Sequence, residues 1–363
     1  MMNQVNRLEK LRKKLPEHEI DAIIVSNPEN RYYLSGFYSS AGLLLISSKV
    51  AILATDFRYS EQAKARAATY DIIQIAGDMV DWFPELIGGL GLKKLGFEAG
   101  HLTHALYREF TSVLRKINSS IKLVATSGLV ECLRAIKESE EIDLITQAVA
   151  ISDNAFSYIE SITHVGMKEE ELAWELEKYM RENGSQALPF DIIVASGLNA
   201  AFPHAKPSRR ALSLGDPVVI DIGAKIEGYC SDLSRTICLG KSDEKFNKIY
   251  DTILGAQMGV MAMIREGMMG GEVDQLARII IEQAGYGKAF GHGLGHGIGL
   301  TPHEMPWLGP NSVDVLTSGM VITIEPGIYL NGWGGVRIED VVVVENGKIR
   351  VISHAQKINI MGD

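Results

Sequence analysis

The spacing of apolar residues changes near residue 137, and this change divides the chain into two regions. In the first region, short apolar runs alternate with amphipathic stretches. The runs predict strands at 22–25, 72–75, 94–97 and 121–124 and a hairpin that joins 42–46 to 50–54. The segment Asn27–Asn30 has the composition of a turn. Because helices and strands alternate, we predict that residues 1–132 form an α/β domain.

In the second region, apolar residues recur at steps of three and four, as at Ile142, Ile145 and Val149, which is typical of long helices. Further helices are predicted at 168–182, 246–265 and 272–284, and strands at 217–222, 229–239, 321–329 and 336–345. A glycine-rich segment, 332–335, separates the last two strands, so we expect them to pair antiparallel. Residues 133–363 are therefore predicted to form an α+β domain.

Composition narrows the classes of function. The 363 residues are 46% hydrophobic, which is enough apolar material for two cores. The net charge of −9 argues against a nucleic-acid partner, because phosphate contacts need a basic face. The amino terminus has no apolar export signal, and no apolar run is long enough for a membrane span. We therefore expect a cytoplasmic protein that contacts neither nucleic acid nor membrane.

Acidic residues occur where apolar ones are expected. Carboxylates interrupt otherwise apolar, strand-like runs at Asp221, Asp232, Glu325 and Glu339. A buried carboxylate is unfavourable unless a cation or a metal ion compensates its charge. The arginines in these runs are too few to neutralise the anions, whereas two divalent ions would balance them. The pattern therefore predicts a metal site.

A glycine-rich segment, residues 291–304 (GHGLGHGIGLTPHE), lies between the two pairs of carboxylates. Glycines let the backbone approach a site closely, and they are incompatible with the two-histidine helix of the H-E-x-x-H enzymes. The segment also lacks the G-x-G-x-x-G register of a dinucleotide loop. Carboxylates with one histidine form an oxygen-rich ligand set that favours Mn²⁺, Co²⁺, Fe²⁺ or Zn²⁺. Two such ions can activate water and polarise a carbonyl, which indicates a hydrolase.

On these motifs the sequence resembles the pita-bread metallopeptidases, which include Xaa-Pro dipeptidase (prolidase), aminopeptidase P and methionine aminopeptidase. The resemblance covers essentially the whole chain. It implies a smaller creatinase/prolidase-type N-terminal domain followed by an α+β pita-bread catalytic domain. It also implies that two divalent metal ions, with Mn²⁺ preferred, are bound by Asp221, Asp232, His296, Glu325 and Glu339.

The resemblance further implies an exopeptidase that cleaves the bond between an N-terminal residue and proline in small peptides. His204, His303 and Arg337 match substrate-binding and proton-handling positions, and Glu325 is the expected proton acceptor. Arg337 and Glu339 are two residues apart on a predicted strand, so they should share one face, with Arg337 directed towards the substrate. His292 stays outside the catalytic set, because it could equally be an ordinary loop residue. A homodimer is also implied.

Two other functions remain open at this point. A methionine aminopeptidase-like enzyme would share the ligands, but the additional N-terminal domain argues against it. A catalytically silent pita-bread binding module would have no need of the ligands, all of which are retained. The sequence does not decide between cleavage of Xaa-Pro dipeptides and cleavage of longer peptides.

Overall fold

The computed structural model describes residues 4–358 and 360–361. The chain divides between Arg134 and Ala135 into two compact units, and each has its own hydrophobic core. Within the described residues, no helix has both the length and the apolar content that crossing a bilayer requires.

The first unit is built on a mixed sheet. Its strands are β1 (Ala22–Val25), β2 (Leu43–Ser47), β3 (Ala51–Thr55), β4 (Asp71–Gln74), β5 (Lys94–Glu98) and β6 (Lys122–Thr126), in the order β4-β3-β2-β1-β5-β6. Its helices are α1 (Gln4–Lys14), α2 (Pro28–Ser35), α3 (Ser60–Arg66), α4 (Met79–Ile87) and α5 (His104–Lys116), and α6 (Glu131–Ala135) follows at the division. The predicted hairpin is confirmed as β2 and β3, which pair antiparallel with Leu44 opposite Leu53.

The segment 27–30 begins a helix, so the predicted turn is wrong. The side chain of Asn27 caps α2 by accepting a hydrogen bond from the Asn30 amide at 2.9 Å, and Pro28 occupies the first turn. Gly36 ends the helix with a φ of 70°. Asparagine and proline favour helix starts as well as turns, and composition over four residues cannot separate the two.

The second unit combines long helices with antiparallel sheets. Its helices are α7 (Ser139–Ile159), α8 (Glu169–Glu182), α9 (Glu244–Met263) and α10 (Gly270–Gln283). Its first strands are β7 (Ile193–Ser196), β8 (Pro217–Ile222), β9 (Lys225–Ile226), β10 (Tyr229–Cys230) and β11 (Leu233–Leu239). The later strands are β12 (Gly295–Gly297), β13 (Glu304–Leu308), β14 (Val321–Ile324), β15 (Gly327–Leu330), β16 (Gly334–Arg337), β17 (Asp340–Glu345), β18 (Lys348–Val351) and β19 (Ile360–Met361).

This unit consists of two similar halves. In the first half, apolar side chains of α7 and α8 pack on the sheet ordered β19-β11-β8-β7. In the second half, α9 and α10 pack on the sheet ordered β13-β12-β14-β17-β18. Each core consists largely of buried isoleucine, leucine and valine, whose burial contributes about 1.5–3 kcal/mol per side chain. Each half thus presents a sheet supported by its own core, and polar side chains of the two sheets can meet.

Three predicted strands are interrupted, which corrects the sequence analysis. The run 229–239 separates into β10 and β11, 321–329 into β14 and β15, and 336–345 into β16 and β17. The antiparallel hairpin predicted around 332–335 is confirmed, with Gly327 opposite Arg337. Glu339 lies between β16 and β17, so it does not continue one regular strand face with Arg337 as predicted.

Candidate metal centre

The predicted ligands come from both halves of the second unit. Asp221 lies within β8, and His296 lies in the middle of β12. Asp232, Glu325 and Glu339 occupy the interruptions, where the backbone leaves one strand before it enters the next. The backbone remains bound there, because the Glu325 amide donates to the Leu294 carbonyl at 2.8 Å and the Glu339 amide to the Ser234 carbonyl at 3.0 Å.

Glycines beside His296 allow neighbouring strands to approach closely. A Cβ on Gly295 would lie 2.1 Å from the Thr323 carbonyl oxygen, and one on Gly297 would lie 2.0 Å from the Met305 carbonyl oxygen. Any side chain at these positions would therefore push β12 away from its neighbours. These two glycines make room for protein backbone, and they thereby fix the depth at which His296 enters the site.

The carboxylates and the imidazole converge. Asp232, His296 and Glu339 are buried, and each offers a ligand atom within 4.8 Å of the others. The His296 Nε2 atom lies 3.1 Å from Glu325 Oε1 and 3.8 Å from Asp232 Oδ2. Its Nδ1 atom is 3.1 Å from the Gly297 carbonyl oxygen, which orients Nε2 towards the carboxylates. Asp221 is not one of these three residues, and its carboxylate accepts a hydrogen bond from Arg337 at 2.6 Å.

The concentration of negative charge is reflected in the pKa values. Burial, reinforced by the surrounding carboxylates, raises the pKa of Asp232 and of Glu339 well above the ordinary range. For Glu325, burial is the largest single influence and acts in the same direction, but the hydrogen bond and charge of His296, together with the charges of His292 and Arg337, outweigh it and lower the pKa to about 2. Burial opposes the charge on His296, yet the contact with Glu325 raises its pKa. Without metal, therefore, protons help to hold this cluster together.

The arginines of these strands compensate little of the charge. Arg235 is buried in an ion pair with Asp340 at 2.8 Å, and it also donates to the main-chain carbonyl of Glu339 rather than to a ligand carboxylate. Arg337 binds Asp221 at 2.6 Å. Among the described residues, the buried atoms Asp221 Oδ1 and Glu339 Oε1 have no hydrogen-bond partner. Unpartnered buried carboxylate oxygens beside an oriented imidazole are what a divalent metal ion requires, so the residues present fit such an ion.

The cluster opens into a cavity of about 580 Å³. Asp221, Asp232, His296 and Glu325 line its wall, whereas Glu339 lies behind them. His204, His303 and Arg337, which the sequence assigned to the substrate, line the same cavity. The His303 ring lies 4.3 Å from the His296 ring, and the Trp307 ring is stacked at 13° to that of His303. The cavity is therefore polar at its base, with aromatic groups on one side.

The guanidinium of Arg337 is held from several directions. It donates to Asp221 Oδ2 at 2.6 Å, Ser234 Oγ at 2.7 Å, Tyr329 Oη at 2.8 Å and the Pro203 carbonyl at 3.2 Å. The alternation of side chains along a strand predicts that Arg337 contacts the substrate rather than neutralising a ligand. In the structure, Arg337 contacts the predicted ligand Asp221, and the same guanidinium also lines the cavity.

His292 lines the cavity although the sequence analysis left it outside the catalytic set. Its Nε2 atom lies 3.1 Å from Tyr329 Oη, the hydroxyl that Arg337 also contacts. Burial lowers the pKa of His292, so its ring is neutral at pH 7. The sequence contains only a weak indication that His292 belongs to the site. His292 lies four residues before His296, in a segment where glycines recur at every second position.

Comparison with protein families gives two matches. The profile of "Metallopeptidase family M24" matches residues 143–346, and that of "Creatinase/Prolidase N-terminal domain" matches residues 7–136. Among curated proteins, the Xaa-Pro dipeptidase of Pyrococcus furiosus is 39% identical over 349 residues, which cover 95% of this chain and 97% of that protein. The similarity therefore spans both units.

Solved structures agree with these matches. The Xaa-Pro dipeptidase from Bacillus anthracis superposes with a TM-score of 0.95 and 43% identity, covering 99% of this chain and 100% of that one. The X-Pro aminopeptidase from Thermotoga maritima gives a TM-score of 0.87 and 34% identity, covering 98% and 99%. The chain accordingly belongs to metallopeptidase family M24, a hydrolase family that uses divalent metal ions, with a creatinase/prolidase-type N-terminal domain and a pita-bread catalytic domain.

Proposed function

We propose that this chain is an exopeptidase that uses two divalent metal ions to hydrolyse the bond between an N-terminal residue and proline. The observation that carries the proposal is the buried group of Asp232, His296 and Glu339 at the base of a peptide-sized cavity. The names of similar proteins, Xaa-Pro dipeptidase and X-Pro aminopeptidase, support this choice of substrate.

The residues that would hold the ions are Asp221, Asp232, His296, Glu325 and Glu339. Oxygen-rich coordination supports Mn²⁺ as the ion, with Co²⁺, Fe²⁺ and Zn²⁺ as alternatives. Bound there, the ions would lower the pKa of a water and polarise the peptide carbonyl.

Protein side chains would handle the protons. Glu325, whose carboxylate lines the cavity beside His296, would accept a proton and pass it towards the proline nitrogen. Such transfers contribute about 10²- to 10⁴-fold to rates. Burial and the nearby His296 lower the pKa of His303, so a neutral His303 can donate a hydrogen bond to the developing oxyanion. His204 would hold the substrate.

Arg337 is better suited to positioning and proton relay than to capturing a distant carboxylate. Its donors already contact Asp221, Ser234, Tyr329 and Pro203, so its position is fixed. The substrate amino group would meet Asp221, which restricts cleavage to the chain terminus. Proline suits such a site because its nitrogen carries no hydrogen and its ring restricts the chain.

The decisive experiment offers Ala-Pro, Ala-Pro-Ala and Met-Gly-Ala to purified protein supplied with Mn²⁺. Release of alanine from the proline peptides, with no cleavage of Met-Gly-Ala, is the expected result. Cleavage of Ala-Pro alone would identify a dipeptidase, and efficient cleavage of Ala-Pro-Ala an aminopeptidase P. Release of methionine would favour the methionine aminopeptidase alternative. A protein that binds no metal and cleaves none of the peptides would be the silent binding module.

We also propose a homodimer in the cytoplasm, with domains at residues 1–132 and 133–363. Light scattering of the purified protein tests the dimer directly, because the chain mass is 39.8 kDa. A monomeric mass at micromolar concentration would contradict it.

A further inference from the structure

The cavity wall contains two strong cations among the described residues, Arg337 and Lys206. The two side chains differ in how far neighbouring groups restrict their movement. Arg337 is 3% exposed and is held by Asp221, Ser234 and Tyr329. The Lys206 side chain is 85% exposed, and its contact is an ion pair with Asp191 at 3.7 Å. Lys206 is therefore the cation of this cavity that can reorient towards a bound molecule.

The position of Lys206 is defined by its loop. It follows His204 by two residues, and both side chains line the cavity. Asp191, its partner, also lines the cavity and is 89% exposed. The predicted metal ligands are far less exposed: Asp232, His296 and Glu339 are buried, and the side chains of Asp221 and Glu325 are 14% and 17% exposed. Lys206 and Asp191 therefore form a charged, solvated rim, and the carboxylates form the base. An exposed pair of this kind is weak, so a ligand can displace it.

A bound peptide has a defined direction, given the proposed function on which this inference rests. Its amino group lies at the base beside Asp221, so its other end points towards the rim. In a dipeptide, that end is the carboxylate of proline, one residue from the scissile bond. In a longer peptide, the corresponding position holds a neutral amide.

We propose that Lys206 binds the free carboxylate of an Xaa-Pro dipeptide and thereby determines a preference for dipeptides over longer or amidated substrates. Asp191 opposes this preference, because it competes for the Lys206 ammonium and repels the incoming carboxylate. The balance between the two rim charges therefore sets the selectivity. Lys206 is a specificity residue, and the cleavage of the bond does not depend on it.

The test compares Ala-Pro with Ala-Pro-amide, which differ in the charge that Lys206 would recognise. In Lys206→Met, the KM for Ala-Pro should rise about two- to fivefold, the range of an exposed ion pair, while the KM for Ala-Pro-amide stays the same. The kcat for both substrates should be unchanged. Added salt should reduce the wild-type preference towards that of the variant, because it screens exposed charges.

Arg209→Met is the matched control. Arg209 lies in the same loop, its side chain is 88% exposed, and it pairs with Glu170 at 3.7 Å, but it is not part of the cavity wall. Its loss should leave both KM values unchanged. Asp191→Asn should act oppositely to Lys206→Met and lower the KM for Ala-Pro without affecting the amide.

The possible outcomes distinguish an error in the role of Lys206 from an error in the proposed function. If wild type cleaves Ala-Pro and Ala-Pro-amide but Lys206→Met leaves their KM ratio unchanged, the role of Lys206 is wrong and the proposed function stands. An equal change in both KM values, or the same change in Arg209→Met, also overturns it. If wild type cleaves neither substrate with metal bound, the proposed function itself fails.

Discussion

At the scale of single residues, the buried carboxylates of the candidate metal centre need more positive charge than the protein side chains supply. Asp232 and Glu339 are buried beside other carboxylates, and their pKa values are raised well above the ordinary range. A carboxyl group with a raised pKa in the folded state destabilises the fold at neutral pH, because the unfolded chain ionises it freely. The metal-free protein is thus less stable than its cores alone would make it.

Replacement of Asp232 with asparagine should therefore stabilise the metal-free protein and abolish activity. Removing one carboxylate relieves repulsion by Glu339 and Asp221. Each kcal/mol so gained should raise the Tm by about 2–4 °C, measured by calorimetry in a chelator. The control, Asp251→Asn, changes an exposed residue of α9 and should shift stability by less than about 0.5 kcal/mol. A lower Tm for Asp232→Asn than for wild type would contradict this account.

Metal affinity should depend on pH with a definite sign. Raised pKa values mean that Asp232 and Glu339 keep protons to higher pH than ordinary carboxyl groups. Protons compete with metal for the same oxygens, so Mn²⁺ affinity should fall as the pH is lowered from 8 to 5. Titration calorimetry in buffers of different ionisation enthalpy should detect proton release on binding. Affinity that is constant over this range, without proton release, would show that the carboxylates are already ionised.

At the scale of elements, a buried glutamate fixes the loop that carries His204. Glu169, in the first turn of α8, is 0% exposed. It accepts hydrogen bonds from the Ser196 amide at 2.6 Å and hydroxyl at 2.7 Å, and from the Ser208 hydroxyl at 2.6 Å. The Asn199 amide group also donates to it at 3.1 Å. One carboxylate thus holds both ends of the segment 196–208.

Glu169→Gln should loosen this segment, because an amide cannot accept at every position where the carboxylate does. Hydrogen bonds to a charged group contribute about 1.5–3 kcal/mol each, so urea unfolding should show a loss of at least that size. The KM should rise more than kcat falls if His204 holds the substrate. Glu170→Gln, at the adjacent and more exposed position, is the control and should be nearly neutral. Equal effects of the two variants would refute the anchoring role.

At the scale of the whole second unit, the proposed metal site would join its two halves. Asp221 and Asp232 belong to the half that contains α7 and α8, whereas His296, Glu325 and Glu339 belong to the half that contains α9 and α10. An ion bound by both sets is present only in the folded state. Metal binding should therefore stabilise the unit as well as activate it.

Addition of Mn²⁺ to chelated protein should raise the Tm in a concentration-dependent manner. At a free concentration 100 times the Kd, one site contributes about 2.7 kcal/mol. Asp232→Asn should show little or none of this increase, which separates the specific site from general salt effects. A wild-type Tm that does not respond to Mn²⁺ would place the ion elsewhere or exclude tight binding.

Predictions from the sequence agree best with the structure for features that depend on a few neighbouring residues. The strand 217–222 and the helix predicted at 168–182, observed as α8, follow from apolar spacing over a few residues. The breaks between strands at Asp232, Glu325 and Glu339 do not follow from apolar spacing, because a mostly apolar run has the same pattern whether it continues one strand or passes into a second sheet. The caps of α2 were missed because asparagine and proline serve turns and helix starts alike.

The residue types of the site, their order and an excess of carboxylates over compensating arginines can be read from the amino-acid sequence alone. The folded structure is needed to show which arginine meets Asp221, why Gly295 and Gly297 cannot carry side chains, and that His292 reaches the cavity. The reason is physical: periodicity encodes which face of an element is buried. The partner of a buried charge comes from a distant strand, and its position depends on how whole sheets pack.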